Sequence, residues 1–362
     1  MASVSATFVL TPSGLVGPAR VSFDDGIITD VEPIERAPDR VLAPGFVDVQ
    51  VNGIDDIDVA AADGADWDRM DALLLAQGVT TWCPTLVTNE LSRYGRPLER
   101  IAAAMARPTD TRPTIAGVHL EGPFLGGAPG AHRRDHIVPV DLGWIESLPN
   151  HVRIVTLAPE SPGAVEAIRS LTARGVLVAL GHTTADEAAF DAAVDAGAQL
   201  VTHLFNGMSG VHHREPGVAA FAITDDRVAA SVIADGVHVH PRVVDLAFRA
   251  LGPHRTVLVT DSVAWRANRV GPVGIDLRDG APRLSDGTLA GSAVTIDAAI
   301  RTCVTAGVPL ESALAAASTN PARLLGLADR GSIAPGRRAD LVALTPSPGL
   351  TVEQVWIAGA AV

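Results

Sequence analysis

The apolar positions of the chain form eight short runs between residues 46 and 259, and a stretch of helical length follows most of them. The runs are Phe46 to Val51, Thr80 to Leu86, Ile115 to Leu120, Val152 to Leu157, Val176 to Leu180, Leu200 to Leu204, Val228 to Ile233 and Thr256 to Val259. Several of the intervening stretches have a helical period of apolar residues and end near a glycine, as at Gly78, Gly175 and Gly197. Near-continuous apolar runs suit parallel strands that are buried on both faces. Eight such strands, each followed by a crossover, predict an α/β fold of the (β/α)8 TIM-like barrel type.

Both ends of the chain have a different pattern, in which short strands alternate with turns and no helical period appears. Ala6 to Leu10, Ala19 to Phe23 and Gly26 to Val31 precede the barrel, and Asp340 to Leu344 and Val355 to Ala358 follow it. We therefore predict a small β-sandwich subdomain built from both chain ends, residues 1–44 and 332–362. The catalytic barrel domain is then residues 45–331.

An insertion, residues 264–290, separates the last barrel run from the C-terminal helices. Its short apolar runs, Val273 to Ile275 and Pro282 to Leu284, predict a hairpin. Because the insertion follows the carboxyl end of the eighth strand, we expect this hairpin to lie over the open end of the barrel.

Polar side chains stand at the ends of the predicted barrel strands. Glu121 follows the third run, His182 the fifth, His203 the sixth and Asp261 the eighth. The carboxyl ends of barrel strands form one face, so these residues are expected to converge there. One carboxylate and two imidazoles have the composition of a metal site. A histidine after a strand is also common in turns, and Asp261 before Ser262 is equally typical of a turn, but recurrence in successive units favours a shared site.

Composition narrows the possible chemistry. The chain of 362 residues has a formal net charge of −13 and no lysine, so lysine Schiff bases, phosphate-binding lysines and carboxylated-lysine metal bridges are excluded. An anionic ligand would need a local arginine, and nothing attracts nucleic acid or anionic membrane in general. We find no apolar run of membrane-spanning length, no signal peptide and no disulfide or zinc spacing of the two cysteines. These features predict a cytoplasmic protein without nucleic-acid or membrane partners.

Several motifs resemble a known family. Ala43 to Asp48, together with Gly331 to Gly336 and Ala339 to Val342, resembles the amidohydrolase superfamily of metal-dependent hydrolases. Five internal motifs are similar to the N-acetylglucosamine-6-phosphate deacetylase family within it: His119 to Phe124, Gly181 to Thr183, Thr202 to Met208, Asp235 to His238 and Leu289 to Ser292. The resemblance implies hydrolysis of N-acetyl-D-glucosamine 6-phosphate to D-glucosamine 6-phosphate and acetate.

The resemblance also implies one divalent metal ion per subunit, held by Glu121, His182 and His203. We expect zinc, although the same ligands accept iron(II), manganese or cobalt. Many amidohydrolases have two histidines after the first strand, where this chain has Gln50 and Asn52. Because amides are poor metal ligands, we expect a single metal with these two residues as its neighbours. Gln50 could equally fill the barrel mouth or contact the substrate.

Asp261 is then the expected general base and acid: it accepts a proton as metal-activated water attacks the amide, and it returns the proton to the leaving amine. The resemblance implies substrate contacts for ten further residues: Ala131, His132, Asn206, Gly207, Arg214, Asp235, His238, Leu289, Ala290 and Gly291. Among them, Arg214 matches the phosphate-binding arginine. In the family this arginine tends to be supplied across a dimer interface, which implies a homodimer.

Two other functions stay open from the sequence. The chain could be a mononuclear amidohydrolase that acts on another N-acylated amino sugar, or a deaminase, whereas Arg214 with the Asp235 to His238 motif favours a phosphosugar. It could also be a barrel scaffold without catalytic activity. The intact ligand set and Asp261 count against that interpretation.

Overall fold

The computed structural model describes residues 2–362, and a ring of eight parallel strands lies at its centre. The barrel strands β1 to β8 are Phe46–Val51, Val79–Val87, Val118–Glu121, Val152–Leu157, Leu177–Leu180, Leu200–Val201, Ala229–Val232 and Thr256–Leu258. Each strand pairs with the next in parallel. A parallel bridge between Val51 and Ser262 brings β1 beside the chain that follows β8. The predicted (β/α)8 barrel is confirmed.

The strands of the barrel are buried on both faces. In β4, Ile154 packs into the barrel interior with Val47 and Val49 of β1, whereas Val155 and Leu157 pack outward against the helices. Successive side chains of a strand point to opposite faces, so a strand covered on both sides is apolar throughout. This burial explains why the runs read as continuous rather than alternating.

Helices cover the outside of the barrel. They are Asp66–Leu75, Gly95–Met105, Leu142–Ser147, Ala164–Ala173, Glu187–Asp195, Val218–Thr224, Pro241–Arg255, Ile296–Thr305, Leu310–Ala317 and Thr319–Leu324, with single 3-10 turns at Leu91–Arg93 and Arg134–His136. The helix Ala164–Ala173 buries one face, which includes Ala167, Ile168 and Leu171, at helical spacing. Gly175, with φ +73°, follows its end. In the described residues, no helix is both long and apolar enough to cross a bilayer.

Two sheets are built from the chain ends. Ala2–Ala6, Ala19–Asp24 and Ile27–Pro33 form an antiparallel sheet of three strands. The second sheet has six strands in the order Ala360–Ala361, Val352–Ile357, Leu341–Leu344, Val41–Pro44, Phe8–Thr11 and Gly14–Val16. The expected single strand from Ala6 to Leu10 is wrong, because the chain leaves the first sheet at Thr7 and enters the second.

The six-stranded sheet joins these terminal segments to the barrel. Leu42 and Leu341 pack with Val21 of the three-stranded sheet, while Val41 and Val342 belong to the same apolar cluster as the barrel helices. The sheet thus has one face toward its partner sheet and the other toward the barrel. The boundaries at 44/45 and 331/332 stay a prediction.

The insertion contains two ribbons and not one hairpin, so that expectation is wrong. Arg269–Val270 pairs with Val273–Gly274, and Asp276–Arg278 pairs with Ala281–Arg283. The reason lies in two separate turns, one at Gly271 (φ +50°) and one at Asp279-Gly280 (φ +51° and +78°).

Two ion pairs attach the insertion to the loop after β1. The Arg269 Nε atom lies 2.8 Å from Asp58 Oδ2, and the Arg266 Nε atom lies 2.8 Å from Asp55 Oδ1. Val270 packs in a small apolar cluster with Val263, which lies in the segment that follows β8. The insertion is therefore fixed beside the carboxyl ends of the first and last barrel strands.

Candidate active site

The carboxyl ends of the barrel strands bring four predicted side chains together. Glu121 ends β3, and His182, His203 and Asp261 come just after β5, β6 and β8. All four are buried. His182, His203 and Asp261 have φ values of +52°, +34° and +48°, a region that residues other than glycine rarely adopt. Such backbone strain persists only where the surroundings enforce it, and it is frequent at functional sites.

Three ligand atoms face one another at the barrel mouth. The Nε2 atoms of His182 and His203 lie 3.2 and 2.9 Å from Glu121 Oε1, and 3.1 Å from each other. Tetrahedral zinc with bonds of about 2.0–2.1 Å has ligand atoms about 3.3 Å apart. The three atoms therefore fit one face of the coordination shell of a single small cation.

Backbone carbonyls fix the tautomer of both imidazoles. His182 Nδ1 lies 3.3 Å from the oxygen of Ala128, and His203 Nδ1 lies 3.1 Å from the oxygen of Asn206. A carbonyl can only accept, so each Nδ1 carries a hydrogen, and each Nε2 is the nitrogen that would bind a cation after losing any proton it shares with Glu121. Gly207, with φ +57°, permits this packing, since a Cβ there would lie 2.8 Å from His182 Nδ1.

His132 is a competing third histidine. Glu121, His132 and His182 also offer ligand atoms within 4.8 Å of one another. His132 Nε2 is 3.1 Å from His182 Nε2 but 3.9 Å from Glu121 Oε2. Its buried Nδ1 has no hydrogen-bond partner among the described residues, so nothing fixes its tautomer. The donor set Glu121, His182 and His203 therefore fits a metal better, with His132 beside it.

Electrostatics hold Glu121 and His203 as an ion pair. Burial by itself raises the pKa of Glu121, but hydrogen bonds from His182 and His203 outweigh it and hold that pKa well below its usual range. Burial lowers the pKa of His203, yet the Glu121 carboxylate more than offsets this and raises it. Burial, aided by the nearby His182, lowers the pKa of His132 to about 3, so His132 is neutral. A divalent cation would take over the role of the His203 proton as the partner of Glu121.

Gln50 and Asn52 point their amide NH₂ groups at carboxylates. Gln50 Nε2 donates to Glu121 Oε1 at 2.9 Å and to Asp261 Oδ1 at 3.1 Å, and Asn52 Nδ2 donates to Asp261 Oδ1 at 2.7 Å. An amide that donates to these oxygens offers no lone pair between them. Gln50 therefore bridges the two carboxylates, Asn52 bonds to Asp261 alone, and neither amide group directs a lone pair at these oxygens.

Asp261 has one anchored and one available oxygen. Both amides bond to Oδ1, and Asp261 lines the cavity described below. Burial and the charge of Glu121 raise the pKa of Asp261 to about 8. A bound cation favours the carboxylate and lowers this pKa. With a cation bound and the carboxylate ionised, Asp261 can therefore act as a general base and then as an acid.

A cavity of about 200 Å³ opens beside this cluster. Eight of the ten predicted substrate-contact residues line it: Ala131, His132, Asn206, Gly207, His238, Leu289, Ala290 and Gly291. Valines of the insertion and of strand ends form an apolar wall, and Asn52 and Thr88 add polar groups. Thr88 was missed from the sequence, although its position directly after β2 is the signal that identified the other site residues.

The other two predicted contact residues do not line the cavity. Asp235 Oδ2 accepts a hydrogen bond from His238 Nδ1 at 2.7 Å and so orients that ring. Arg214 lies in an exposed loop, and its guanidinium forms no ion pair with any described residue. In the described part of the chain, no arginine lines the cavity.

Glu160 is a further residue that sequence reasoning missed. Its carboxylate accepts hydrogen bonds from Thr183 Oγ1, from the backbone nitrogen of Thr184 at 2.8 Å and from that of Gly127 at 3.1 Å. It thereby ties the segment after His182 to the loop that leads to His132. The signal that could have found it is its position shortly after the end of β4, which matches the position of Asp261 after β8.

The buried carboxylate and imidazole cluster at the mouth of a (β/α)8 barrel defines the class of metal-dependent barrel hydrolases. The family model described as "Amidohydrolase family" matches residues 41–362, and the chain belongs to this family. The carboxylate and imidazole side chains that the structure brings together at the barrel mouth support the binding of a divalent metal ion.

Relatives of similar length carry more specific names. The chain is 36% identical over 368 residues to N-acetylgalactosamine-6-phosphate deacetylase of Escherichia coli O157:H7, covering 97% of this chain and 96% of the relative. It is 37% identical over 370 residues to N-acetylglucosamine-6-phosphate deacetylase of Homo sapiens, covering 95% of this chain and 88% of the relative.

Solved structures agree with these relatives. N-acetylglucosamine-6-phosphate deacetylase of Thermotoga maritima is 32% identical with a TM-score of 0.92, over 99% of both chains. An aspartate-to-alanine variant of the Mycobacterium smegmatis enzyme, in complex with N-acetyl-D-glucosamine-6-phosphate, is 35% identical with a TM-score of 0.91. The match covers 99% of this chain and 98% of that one.

Proposed function

We propose that the chain hydrolyses N-acetyl-D-glucosamine 6-phosphate to D-glucosamine 6-phosphate and acetate. The observation that carries this proposal is the convergence of Glu121, His182, His203 and Asp261 on one cavity. The substrate class follows from relatives that are 36–37% identical over 95% or more of this chain and are named as deacetylases of N-acetylhexosamine 6-phosphates.

The proposed cofactor is one zinc ion per chain, held by Glu121, His182 and His203. When bound, the cation supplies a Lewis acid that polarises the acetyl carbonyl and increases the acidity of water. Iron(II), manganese and cobalt suit the same ligands. The donation of the Gln50 and Asn52 amides to carboxylates supports one ion rather than two.

Asp261 moves the proton in the proposed reaction. Its free Oδ2 accepts a proton from the water as the oxygen of that water bonds to the acetyl carbon. Asp261 then gives the proton to the amide nitrogen as the C–N bond breaks, which releases acetate and the amine. The two amides on Oδ1 keep the carboxylate oriented during both transfers.

The cavity walls are proposed to orient the sugar. His132 has a neutral ring beside the ligand histidines and can donate a hydrogen bond to the acetyl oxygen. His238 donates Nδ1–H to Asp235, so its Nε2 can accept from a sugar hydroxyl. Asn206 and Gly207 line the cavity at the end of β6, and Leu289, Ala290 and Gly291 line it after the insertion.

The phosphate group is proposed to bind Arg214. The absence of arginine from the described cavity lining means that the charge must come from outside it. Arg214 is exposed and free of ion pairs among the described residues, which suits an arginine that a second copy of the chain supplies or receives. We propose a homodimer on this basis.

A second candidate substrate is N-acetyl-D-galactosamine 6-phosphate, the C4 epimer. The relative from Escherichia coli O157:H7 is named for it. The two sugars differ only in the direction of one hydroxyl. The specificity therefore depends on which hydroxyl His238 and Asn206 contact.

Acetate release from the two epimers tests the proposal. We expect the zinc-loaded protein to release acetate from N-acetyl-D-glucosamine 6-phosphate with a higher kcat/KM than from the galactosamine epimer. Unphosphorylated N-acetyl-D-glucosamine should be a poor substrate through a raised KM. A higher kcat/KM for the epimer would transfer the assignment to the second candidate, and no acetate from either would refute the function.

A further inference from the structure

A chain of buried hydrogen bonds lies one layer below the ligand atoms, inside the barrel. His119 is two residues before Glu121 on β3, so both side chains point into the barrel. His119 Nδ1 lies 2.9 Å from the oxygen of Val49, and its Nε2 lies 2.8 Å from Thr156 Oγ1. Thr156 Oγ1 lies 2.8 Å from Thr202 Oγ1. All three side chains are buried.

The donor and the acceptor of each hydrogen bond in this series can be assigned. The Val49 carbonyl can only accept, so His119 Nδ1 carries the hydrogen and Nε2 accepts. The Thr156 hydroxyl therefore donates to His119, and its own oxygen accepts from the Thr202 hydroxyl. Each polar group is satisfied, which removes the cost of burying it in a layer where other barrels have apolar side chains.

This series of hydrogen bonds connects the backbone segments next to the site residues. Val49 precedes Gln50 on β1, and Thr202 precedes His203 after β6. Thr156 on β4 is the cross-strand partner of Glu121, and its carbonyl accepts from the nitrogen of Gly122 at 3.0 Å. Strands β1, β3 and β4 and the turn after β6 are thus linked directly under the glutamate and one histidine of the candidate metal site.

We propose that His119, Thr156 and Thr202 form a positioning network that sets the geometry of the metal ligands. An apolar layer of equal volume would fill the barrel but would not fix the relative heights of the strands, because dispersion contacts have no direction. The network touches neither substrate nor metal, and it acts through Glu121 and His203. This inference rests on the proposed metal-dependent function and deepens it.

Isosteric substitutions distinguish an effect of the hydrogen bonds on the metal ligands from an effect of side-chain volume in the barrel interior. Thr156→Val removes the central hydroxyl at nearly constant volume, and Thr156→Ser keeps it. Thr202→Val removes only the first donor and leaves the bond from Thr156 to His119. Thr256→Val is the matched control: Thr256 is equally buried, at the start of β8, and its hydroxyl has no partner among the described residues.

The probe is Co²⁺, followed by its visible absorption and by competition with a chelator. We expect Thr156→Val to raise the Co²⁺ dissociation constant about tenfold and to change the absorption spectrum. Thr202→Val should do so to a smaller extent, whereas Thr156→Ser and Thr256→Val should match the parent. Wild-type dissociation constants and spectra in both valine variants would overturn the proposal, even if their melting temperatures fell.

Measurements of Co²⁺ binding and acetate release on the parent and the variants test this inference separately from the proposed function. A parent that binds Co²⁺ but releases no acetate would refute the function and leave the network testable by spectrum and affinity. An active parent with valine variants that bind Co²⁺ normally would refute the network alone. Should Thr156→Val not fold, Thr202→Val decides by the same two measurements.

Discussion

The ligand cluster and the loop around Arg214 differ in how much of their geometry the chain itself determines. At the barrel mouth, Glu121 and its two histidines are buried, and a backbone carbonyl accepts a hydrogen bond from Nδ1 of each imidazole. Residues 210–216 are exposed, and the Arg214 guanidinium has no ion pair with a described residue. The side chains at the barrel mouth are thus ordered by contacts within one chain, whereas Arg214, proposed above to bind the phosphate, has no ordering ion pair among the described residues.

The largest effect is expected from a substitution in the buried cluster, at Asp261. We expect Asp261→Asn to lower kcat about 10³-fold, because the amide cannot accept the proton from water. The side chain keeps its volume and can still bond to Gln50 and Asn52 after rotation. Metal content and melting temperature serve as controls and should stay near those of the parent. A kcat within threefold of the parent would remove Asp261 from the mechanism.

A substitution of Arg214 tests whether the exposed loop binds the phosphate. Arg214→Ala should raise KM for the phosphorylated sugar about 10- to 100-fold, the usual worth of a hydrogen-bonded charge, and leave kcat nearly unchanged. The KM for unphosphorylated N-acetyl-D-glucosamine should not change. Arg242→Ala, which removes another exposed arginine without an ion pair, is the matched control. Equal effects on both sugars would contradict the phosphate assignment.

A smaller effect, on the pH profile of activity, is expected from a substitution of Asn52. Its amide N–H bonds to Asp261 and favours the ionised carboxylate, so Asn52→Leu should raise the pKa of Asp261. Because a general base must be ionised, activity is lost as pH falls through this pKa. The acidic limb of kcat/KM should therefore move to higher pH, by about 0.5–1 unit. The measurement is a pH profile at saturating metal, and an unmoved or lowered limb would contradict the role of the amide.

The sequence predicted those features that repeat or that end a strand. Eight apolar runs predicted the barrel, and the polar residues after the third, fifth, sixth and eighth runs were predicted to be site residues: Glu121, His182, His203 and Asp261. Strand lengths were less predictable: the run from Leu200 to Leu204 contains only Leu200–Val201 as strand, because the chain turns at Thr202 to place His203 at a positive φ. Backbone strain of this kind has no signature in composition.

Contacts between distant residues could not be predicted from the sequence. Nothing local indicates that His119 bonds to Thr156, or that Gln50 bridges Glu121 and Asp261. The two ribbons of the insertion were missed because the Gly271 turn was not separated from the Asp279-Gly280 turn. The pairing of Arg269 with Asp58, which holds the insertion in place, likewise depends on the closed barrel.

Metal content in two histidine variants tests the central claim most directly. The claim is that Glu121, His182 and His203 hold one cation while His132 stands beside it. After purification in excess zinc and desalting, the parent and His132→Ala should each retain about one zinc per chain, and His203→Ala should retain almost none. Zinc kept by His203→Ala and lost by His132→Ala would contradict the account and would assign the metal to Glu121, His132 and His182.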